Sequence, residues 1–598
     1  MFFGRRSLLI LLWLGAPLNL GLSDESSSDA IRFSEALTQS VHYLCPQIRL
    51  FAPIEPSLTP IEKRLVCGDS QSTDLKNLSS GDRPWAAIPV SQAIYHLRIF
   101  LEERGYHHPR FERSKAFGYL EVDLGSKTFV RQVTLEDGSE QVNIHRKRDI
   151  LGQPLTPDLL NDLERWVREN LKAKGYPCPL VRAEANTQLG EVILRVNKGN
   201  PSVIRRIQQE PIPGVNNAIL RRFDAFQVGE PFNGDLLSLT ESRVAASGIV
   251  ESARFSSQCS DVLEQTVIPG APRLMISRIG LNTEGVILGS FSWRNARFGK
   301  LGSFLDLSAF GSARRQTVVA SMNYYYDPAQ VRAFLAPQMS FTHRNELQFE
   351  NLETNTQFGW SITQDSGDRS WSYFVGPTLN LSKTLRGLGA SELQLLSLEG
   401  RVGLKSHDFE LFSERPQSGY QLEGVMDLSH RSLLSQVTAQ RIRIKGEWLW
   451  NHRDFDPPLW VIGLRGNASS VLVARPKLGE SGLPADFFQY LGGSRDLRGF
   501  GRLELSESLR GGGLSSATLG IEARLSSVIP YGLDPFLFLD IGLLGTRSLT
   551  LDSPFYWSPG LGVRWASPIG AVRATAAHGF AGLSPMHLQF YFGLGEEF

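Results

Sequence analysis

The stretch YLGGSRDLRGFGRLEL, residues 490–505, places three kinds of chemistry side by side. Glycines among cations suit a phosphate cradle, Ser494 suits a nucleophile, and Arg498 against Gly499 and Phe500 suits a cation buried for structure. The first two lack the company they need. No GxxxxGK pattern surrounds the stretch, so no lysine stands ready for a bound phosphate. Ser494 sits in Gly-Gly-Ser-Arg-Asp rather than a G-x-S-x-G elbow, without a nearby His/Asp pair to activate it. The three glycines at 511–513 read as loop flexibility, and His107–His108 as a solvated strand start. Four cysteines, Cys45, Cys67, Cys178 and Cys259, form no CxxC and no Cys/His cluster with zinc spacing. The expectation is a non-enzymatic protein with no catalytic residue, no cofactor and no metal. Arg498 is the residue to explain. A guanidinium entering a low-dielectric interior costs several kcal/mol unless carboxylates meet it, and its planar fork takes a carboxylate bidentately, as lysine cannot. Gly499 would permit a tight turn and close backbone approach.

The elements around this loop fall into two textures. From about residue 30 to 280, helices and strands alternate in a weak repeat of about 70 residues. IFLEERGYHHPRFER (99–113), ENLKAKGYPCPLVRA (169–183) and LTESRVAASGIVESARF (239–255) each run an amphipathic helix into a glycine stop at Gly105, Gly175 and Gly248. Strands with period-2 alternation follow: YLEVDLG, EVILRVNKG and RLMISRIG. In residues 156–174, Leu159, Leu163, Trp166, Val167 and Leu171 form one helical stripe that faces a sheet. Each unit reads strand–helix–helix–strand–strand. QIRLFAPIE opens the first, which carries an insertion through Pro84.

After about residue 280 helical periodicity gives way to alternating segments of about ten residues between turns of Gly, Asn, Asp and Ser. In FLFLDIG, Leu537, Leu539 and Ile541 share one face while Phe538 and Asp540 share the other. LGIEARLSS alternates Leu519, Ile521, Ala523 and Leu525 with Glu522 and Arg524. HLQFYFGLG sets Leu588, Phe590, Phe592 and Leu594 against Gln589, Tyr591 and Gly593, and the chain stops at Phe598. Apolar outside and polar inside is the transmembrane-barrel pattern. About 320 residues at about 20 per strand and connection give roughly 16 antiparallel strands.

The amino terminus, MFFGRRSLLILLWLGAPLNLGLS, has Arg5 and Arg6 before an apolar run that Pro17 and Asn19 keep short, and reads as a signal peptide ending at Ser23. Export leads to a compartment where cysteines pair. Cys45 and Cys67, close in sequence, are the first disulfide candidates; Cys178 and Cys259 either pair across modules or remain buried thiols. With 62 Lys+Arg against 61 Asp+Glu, no charge excess argues for nucleic acid.

Signal, repeated modules, barrel and the GGSRDLRGF tip together resemble the outer-membrane assembly-factor superfamily that includes BamA, TamA and the two-partner secretion transporters; the modules resemble POTRA domains. With three modules and GVRWASPIGAVRATAA (562–577), the chain is most similar to the TamA-like translocation-and-assembly subfamily. The resemblance implies an order of signal peptide (1–23), N-terminal segment (24–45), three POTRA-like modules (46–126, 127–199, 200–277) and outer-membrane barrel (278–598). It implies a lumen-loop motif Arg498, Gly499 and Phe500, met by Phe538, Asp540 and Glu522. A C-terminal strand signal would involve Phe590, Phe592 and Phe598. It further implies a bacterial outer-membrane location with the modules in the periplasm. Unfolded barrel or autotransporter-type clients would arrive by strand addition and enter the bilayer through a seam between a first strand at 285–293 and a last at 587–595. An inner-membrane-anchored, TamB-like partner belongs to that picture. The alternative is a two-partner-type secretion pore for one exoprotein, with 30–44 as a plug helix. Residues 24–84 and the AAHGF ending of the penultimate strand depart from the family pattern.

Overall fold

The computed structural model describes residues 48–50, 90–113, 120–137, 140–209, 216–257, 259–299, 301–387, 389–411, 417–473, 482–505, 512–567 and 570–594. Cys45, Cys67, Phe598 and the 30–44 segment therefore lie outside the described residues. Two compact units form, one centred on the first sheet and one that holds the third sheet and the barrel.

Three small sheets repeat one connectivity. The first contains β1 (Ile48–Leu50), α1 (Val90–Glu102), β2 (Arg110–Arg113) and β3 (Leu120–Asp123), with strand order β1-β3-β2. The second has β4 (Gln132–Glu136), α2 (Pro157–Ala173), β5 (Leu180–Asn186) and β6 (Glu191–Asn197), ordered β4-β6-β5. The third has β7 (Arg206–Gln209), α3 (Gly234–Ser247), β8 (Ser252–Ser256) and β9 (Val262–Ile268), ordered β7-β9-β8. Each opening strand thus pairs with the last strand of its own unit, in parallel where β1 meets β3 and β7 meets β9. Helix α2 starts at Pro157, where a missing N–H costs nothing, and the Thr156 hydroxyl accepts from Leu159 N at 3.2 Å. Leu163, Trp166, Val167 and Leu171 are buried along its stripe. Gly105, Gly175 and Gly248 follow α1, α2 and α3 with φ of +86°, +104° and +72°, the left-handed backbone that glycine tolerates best. The segment expected to open the helices of the third module, NNAILRRF, is a 3-10 turn, Asn217–Phe223, capped by the Asn216 side chain.

The remaining strands form one closed antiparallel barrel: β10 (Arg273–Asn282), β11 (Val286–Phe298), β12 (Ser303–Ser312), β13 (Arg315–Asn323), β14 (Ala333–Leu335), β15 (Gln338–Asn345), β16 (Phe349–Gln357), β17 (Trp360–Ser366), β18 (Arg369–Gly387), β19 (Glu392–Ser406), β20 (Gly419–Ser429), β21 (Ala439–Asn451), β22 (Trp460–Val473), β23 (Ser515–Leu525), β24 (Leu533–Gly545), β25 (Tyr556–Ser567), β26 (Gly570–Ala581) and β27 (Ser584–Leu594). Two crossings are interrupted: β14 and β15 flank Pro337, which has no N–H for the ladder, and β16 and β17 flank Phe358–Gly359. Since β16 and β17 pair with successive parts of β18, each broken pair is one wall crossing, and the 18 segments make 16 strands.

Two expectations are corrected here. RLMISRIG is the first barrel strand, β10, rather than a closing strand of the third module, so a boundary at 277/278 would fall inside it. Consequently 285–293 belongs to the second barrel strand, and the seam runs between β10 and β27. Period-2 alternation reports that a strand has two faces; it does not report which neighbour the strand pairs with.

The alternation orients the wall. Leu537, Leu588, Phe590 and Phe592 are exposed on the outside, while Phe538 and Asp540 are buried inside. Tyr373, Trp448, Trp450, Trp460 and Trp565 form an exposed aromatic girdle near the rim where the chain enters the barrel, as expected at a membrane interface. Among the described residues no helix is long and apolar enough to cross a membrane. On that same rim Arg222 donates to the carbonyls of Leu301, Gly302 and Val331 at 2.7–3.0 Å and lies 3.1 Å from the Tyr325 ring centroid. Arg243 of α3 adds a fork of two 2.8 Å bonds to Glu410.

Candidate functional site: the lumen loop and the seam

Between β22 and β23, residues 482–505 fold into the barrel, and their tip carries Arg498, 1% exposed, and Phe500, fully buried. Arg498 Nε and Nη2 donate to the two oxygens of Asp540 at 2.7 and 2.8 Å, and its backbone N–H donates to the same carboxylate at 3.1 Å. Nη1 donates to Glu522 Oε2 at 2.9 Å, and the guanidinium lies 3.3 Å from the Phe538 ring centroid. One fork therefore engages two strands, β23 and β24, and an aromatic face. That is the full use of a planar five-donor group, and lysine could reproduce only part of it. Adjacent positions shape the pocket. Gly520, paired with Asp540, leaves room that a Cβ would take within 2.8 Å of its Oδ1. Gly560, paired with Phe538, is covered by that ring.

Gly499 is needed for close approach rather than for a special backbone angle. A Cβ there would lie 2.5 Å from Ser558 Cβ and 2.6 Å from Gly579 Cα. Gly579, in the unusual AAHGF ending, faces the tip where the β26–β27 register shifts between His578 and Phe580. Phe500 then packs edge-on against Tyr556, 5.7 Å between centroids, among Leu491, Leu497, Leu505 and Leu544.

Several residues in this site carried no sequence signal that singled them out. Arg465 Nη2 donates to Asp540 Oδ1 at 3.1 Å, and Arg573 Nη2 to Glu522 Oε2 at 3.1 Å. Their inward positions on alternating strands were readable; their partners, 75 and 51 residues away, were not. Ser494 N–H and Oγ donate to the two oxygens of Glu284, in the β10–β11 turn, at 2.8 and 2.9 Å. Arg502 forks onto Glu346 at 2.7–3.2 Å. Tyr591 Oη donates to the Phe500 carbonyl, and His587 Nε2 lies 2.7 Å from Glu504 Oε1, both from the last strand.

Among the described residues, which end at Leu594, Leu281↔Leu594 and Asn282↔Gly593 pair between β10 and β27 and Thr283 N donates to the Phe592 carbonyl at 3.0 Å, whereas β10 and β11 share ten residue pairs. Away from this point, Met275 and Ile279 on one edge and Leu588 and Phe590 on the other are exposed. Phe590 and Phe592 thus occupy the lipid-facing side of the last strand.

Elsewhere Cys178 and Cys259 are joined as a disulfide with Cα atoms 5.4 Å apart, which resolves the alternative of buried thiols. No group of three His, Cys, Asp or Glu side chains among the described residues could hold a metal.

The Omp85 superfamily domain matches residues 287–598. Among solved structures, BamA from Haemophilus ducreyi lacking POTRA domains 1–3 aligns at 15% identity and TM-score 0.47, covering 78% of this chain and 99% of that one. CdiB from Escherichia coli aligns at 12% identity and TM-score 0.44, covering 90% and 99%. CdiB from Acinetobacter baumannii aligns at 12% and 0.41, covering 78% and 90%. No curated protein sequence matches the chain.

Proposed function

The chain belongs to the Omp85 superfamily, and on that premise we propose that it inserts or translocates barrel or autotransporter-type client proteins at the outer membrane, in the manner of the TamA-like subunits. The observation that carries this reading is the seam: among the described residues two residue pairs and the Thr283 N–Phe592 carbonyl bond join β10 to β27, where β10 and β11 share ten pairs. Parting it exposes the backbone of β10 and β27, an edge that templates an incoming strand. Gly593, at one of the two pairs, adds no side-chain packing there. The three POTRA-like modules, placed in the periplasm, would hand clients over by strand addition, with β2, β5 and β8 at sheet edges. A TamB-like, inner-membrane-anchored partner would complete the path. Client folding and bilayer thinning would supply the driving force.

The test is a covalent tie. Leu281 and Leu594 are directly opposed, and antiparallel partners stand about 4.5–5.5 Å apart at Cα, within disulfide reach. Oxidised Leu281→Cys/Leu594→Cys protein should stay a heat-modifiable barrel yet fail to insert clients, and a reductant should restore insertion. Full activity in the quantitatively tied form would refute lateral insertion and favour the two-partner-type pore, whose cargo passes through the lumen.

A further inference from the structure

Backbone pairing is not the whole connection between the barrel's first and last strands. Inside the lumen, a continuous chain of hydrogen bonds runs from one to the other through the loop. Glu284, in the turn that follows β10, accepts from Ser494 N and Oγ at 2.8 and 2.9 Å. The neighbouring Gly493 N donates to the Phe500 carbonyl at 3.0 Å, and that same carbonyl accepts from Tyr591 Oη of β27. The loop between these catches is internally braced: Leu503 N donates to the Gly492 carbonyl and Leu505 N to the Leu491 carbonyl, each at 3.2 Å. Gly493, at φ +117°, has space for no side chain, because a Cβ would lie 2.7 Å from Glu284 Oε1. A second strand of contacts runs alongside, with Arg502 Nη1 3.7 Å from Glu284 Oε2 and Glu504 Oε1 2.7 Å from His587 Nε2.

We propose that the lumen loop is a clasp across the seam, with Glu284 as its catch on the first-strand side and Tyr591 as its catch on the last-strand side. The Arg498 tip seats on β23 and β24, which lie on the last-strand side of the closure. The loop therefore stays with that side when the seam parts, and its contacts with Glu284, next to the seam, must break; the Arg502 fork to Glu346 lies farther along the wall, in the β15–β16 turn. A carboxylate accepting two hydrogen bonds from one serine is a strong, directional catch. It is also one that can let go, since Glu284 retains partial exposure. Through this clasp the docked or released state of the loop sets how often the seam opens. The biological use of such opening rests on the lateral-insertion reading above; the clasp itself is a property of the client-free barrel.

The experiment accordingly contains no client. Spin labels at Ile279→Cys and Leu588→Cys, both on the exposed outer face, report the distance across the seam in the full chain reconstituted in lipid nanodiscs. Wild type should give mainly one short distance. Glu284→Ala and Tyr591→Phe should each raise the long-distance population about tenfold, the effect expected for losing a hydrogen bond to a charged group or its relay. Because the two catches act in series, the double variant should open no further than the more open single. Tyr591→Phe removes one oxygen, and heat-modifiability verifies that each variant remains a barrel. Lys383→Ala, in an exposed pair with Glu392 between β18 and β19, should leave the distances unchanged. Unaltered distances in both folded clasp variants, or fully additive opening in the double, would overturn the proposal. A clasp that fails this test leaves the result of the covalent tie untouched, so the two readings fall separately.

Discussion

Replacing Arg498 by alanine removes three charge-assisted side-chain hydrogen bonds and the contact with Phe538, while the backbone N–H to Asp540 survives as long as the tip stays seated. Asp540, with 0% exposure, is then a buried carboxylate short of a cation. Breaking one side of a buried pair costs about 3–5 kcal/mol. Here Arg465 and Arg573 remain 3.1 Å from Asp540 and Glu522, which places the loss near the lower limit. Loss of the stacking on Phe538 adds about 1 kcal/mol. A total of about 3–4 kcal/mol shifts the docked-to-released ratio of the loop by roughly 10²–10³. Hydrogen exchange of the peptide spanning 491–505 measures that ratio directly, and protection of the Leu503 and Leu505 amides should fall by about two orders of magnitude. Client insertion, normalised to heat-modifiable barrel, should fall with it. Arg498→Lys should recover only part of the protection, because one ammonium cannot fork across Asp540 while also reaching Glu522. Unchanged exchange and unchanged insertion per folded barrel in Arg498→Ala would refute the claim that this fork holds the loop.

Gly499→Ala should mimic Arg498→Ala in the exchange assay although every charge is intact, since its Cβ would press on Ser558 and Gly579; wild-type protection would show that the wall yields. Asp224, in the third module beside Arg221 and Arg332, is pushed up to about 6 chiefly by burial. Its neutral form is favoured by folding, so the stability it contributes is present below about pH 4 and lost as pH rises through about 6. Asp224→Asn should therefore match wild type near pH 4 and be more stable at pH 8, by up to about 3 kcal/mol, as read from denaturant midpoints of the detergent-solubilised protein; equal midpoints at pH 8 would refute this. Mass mapping without reduction should recover Cys178 linked to Cys259, and the same map tests the Cys45–Cys67 pairing. Closing 81 residues contributes about 4.5 kcal/mol in the chain-entropy account, so a Cys178→Ser/Cys259→Ser variant with an unchanged unfolding midpoint would count against that linkage as a stabilising one.

What was legible in the sequence is local in origin. Glycine stops after Leu101, Leu171 and Ser247 follow from backbone sterics, and they appear as positive-φ residues at Gly105, Gly175 and Gly248. Alternation in FLFLDIG set Phe538 and Asp540 on one face because strand side chains have period 2, and both are buried inside. The chemistry of Arg498 also required carboxylates wherever the loop came to rest. Pairing was a different matter. RLMISRIG has the same two-faced pattern whether it closes a small sheet or begins a barrel, and only its hydrogen bonds to β11 and β27 decide between them. Glu284 and Ser494 are 210 residues apart, and neither residue type announces the other. Their meeting depends on the closure of 16 strands, which brings the two ends of the wall to one line and the loop across it. Burial and charge demand follow from residue types; the identity of the partner is set by register and closure, which are properties of the whole chain.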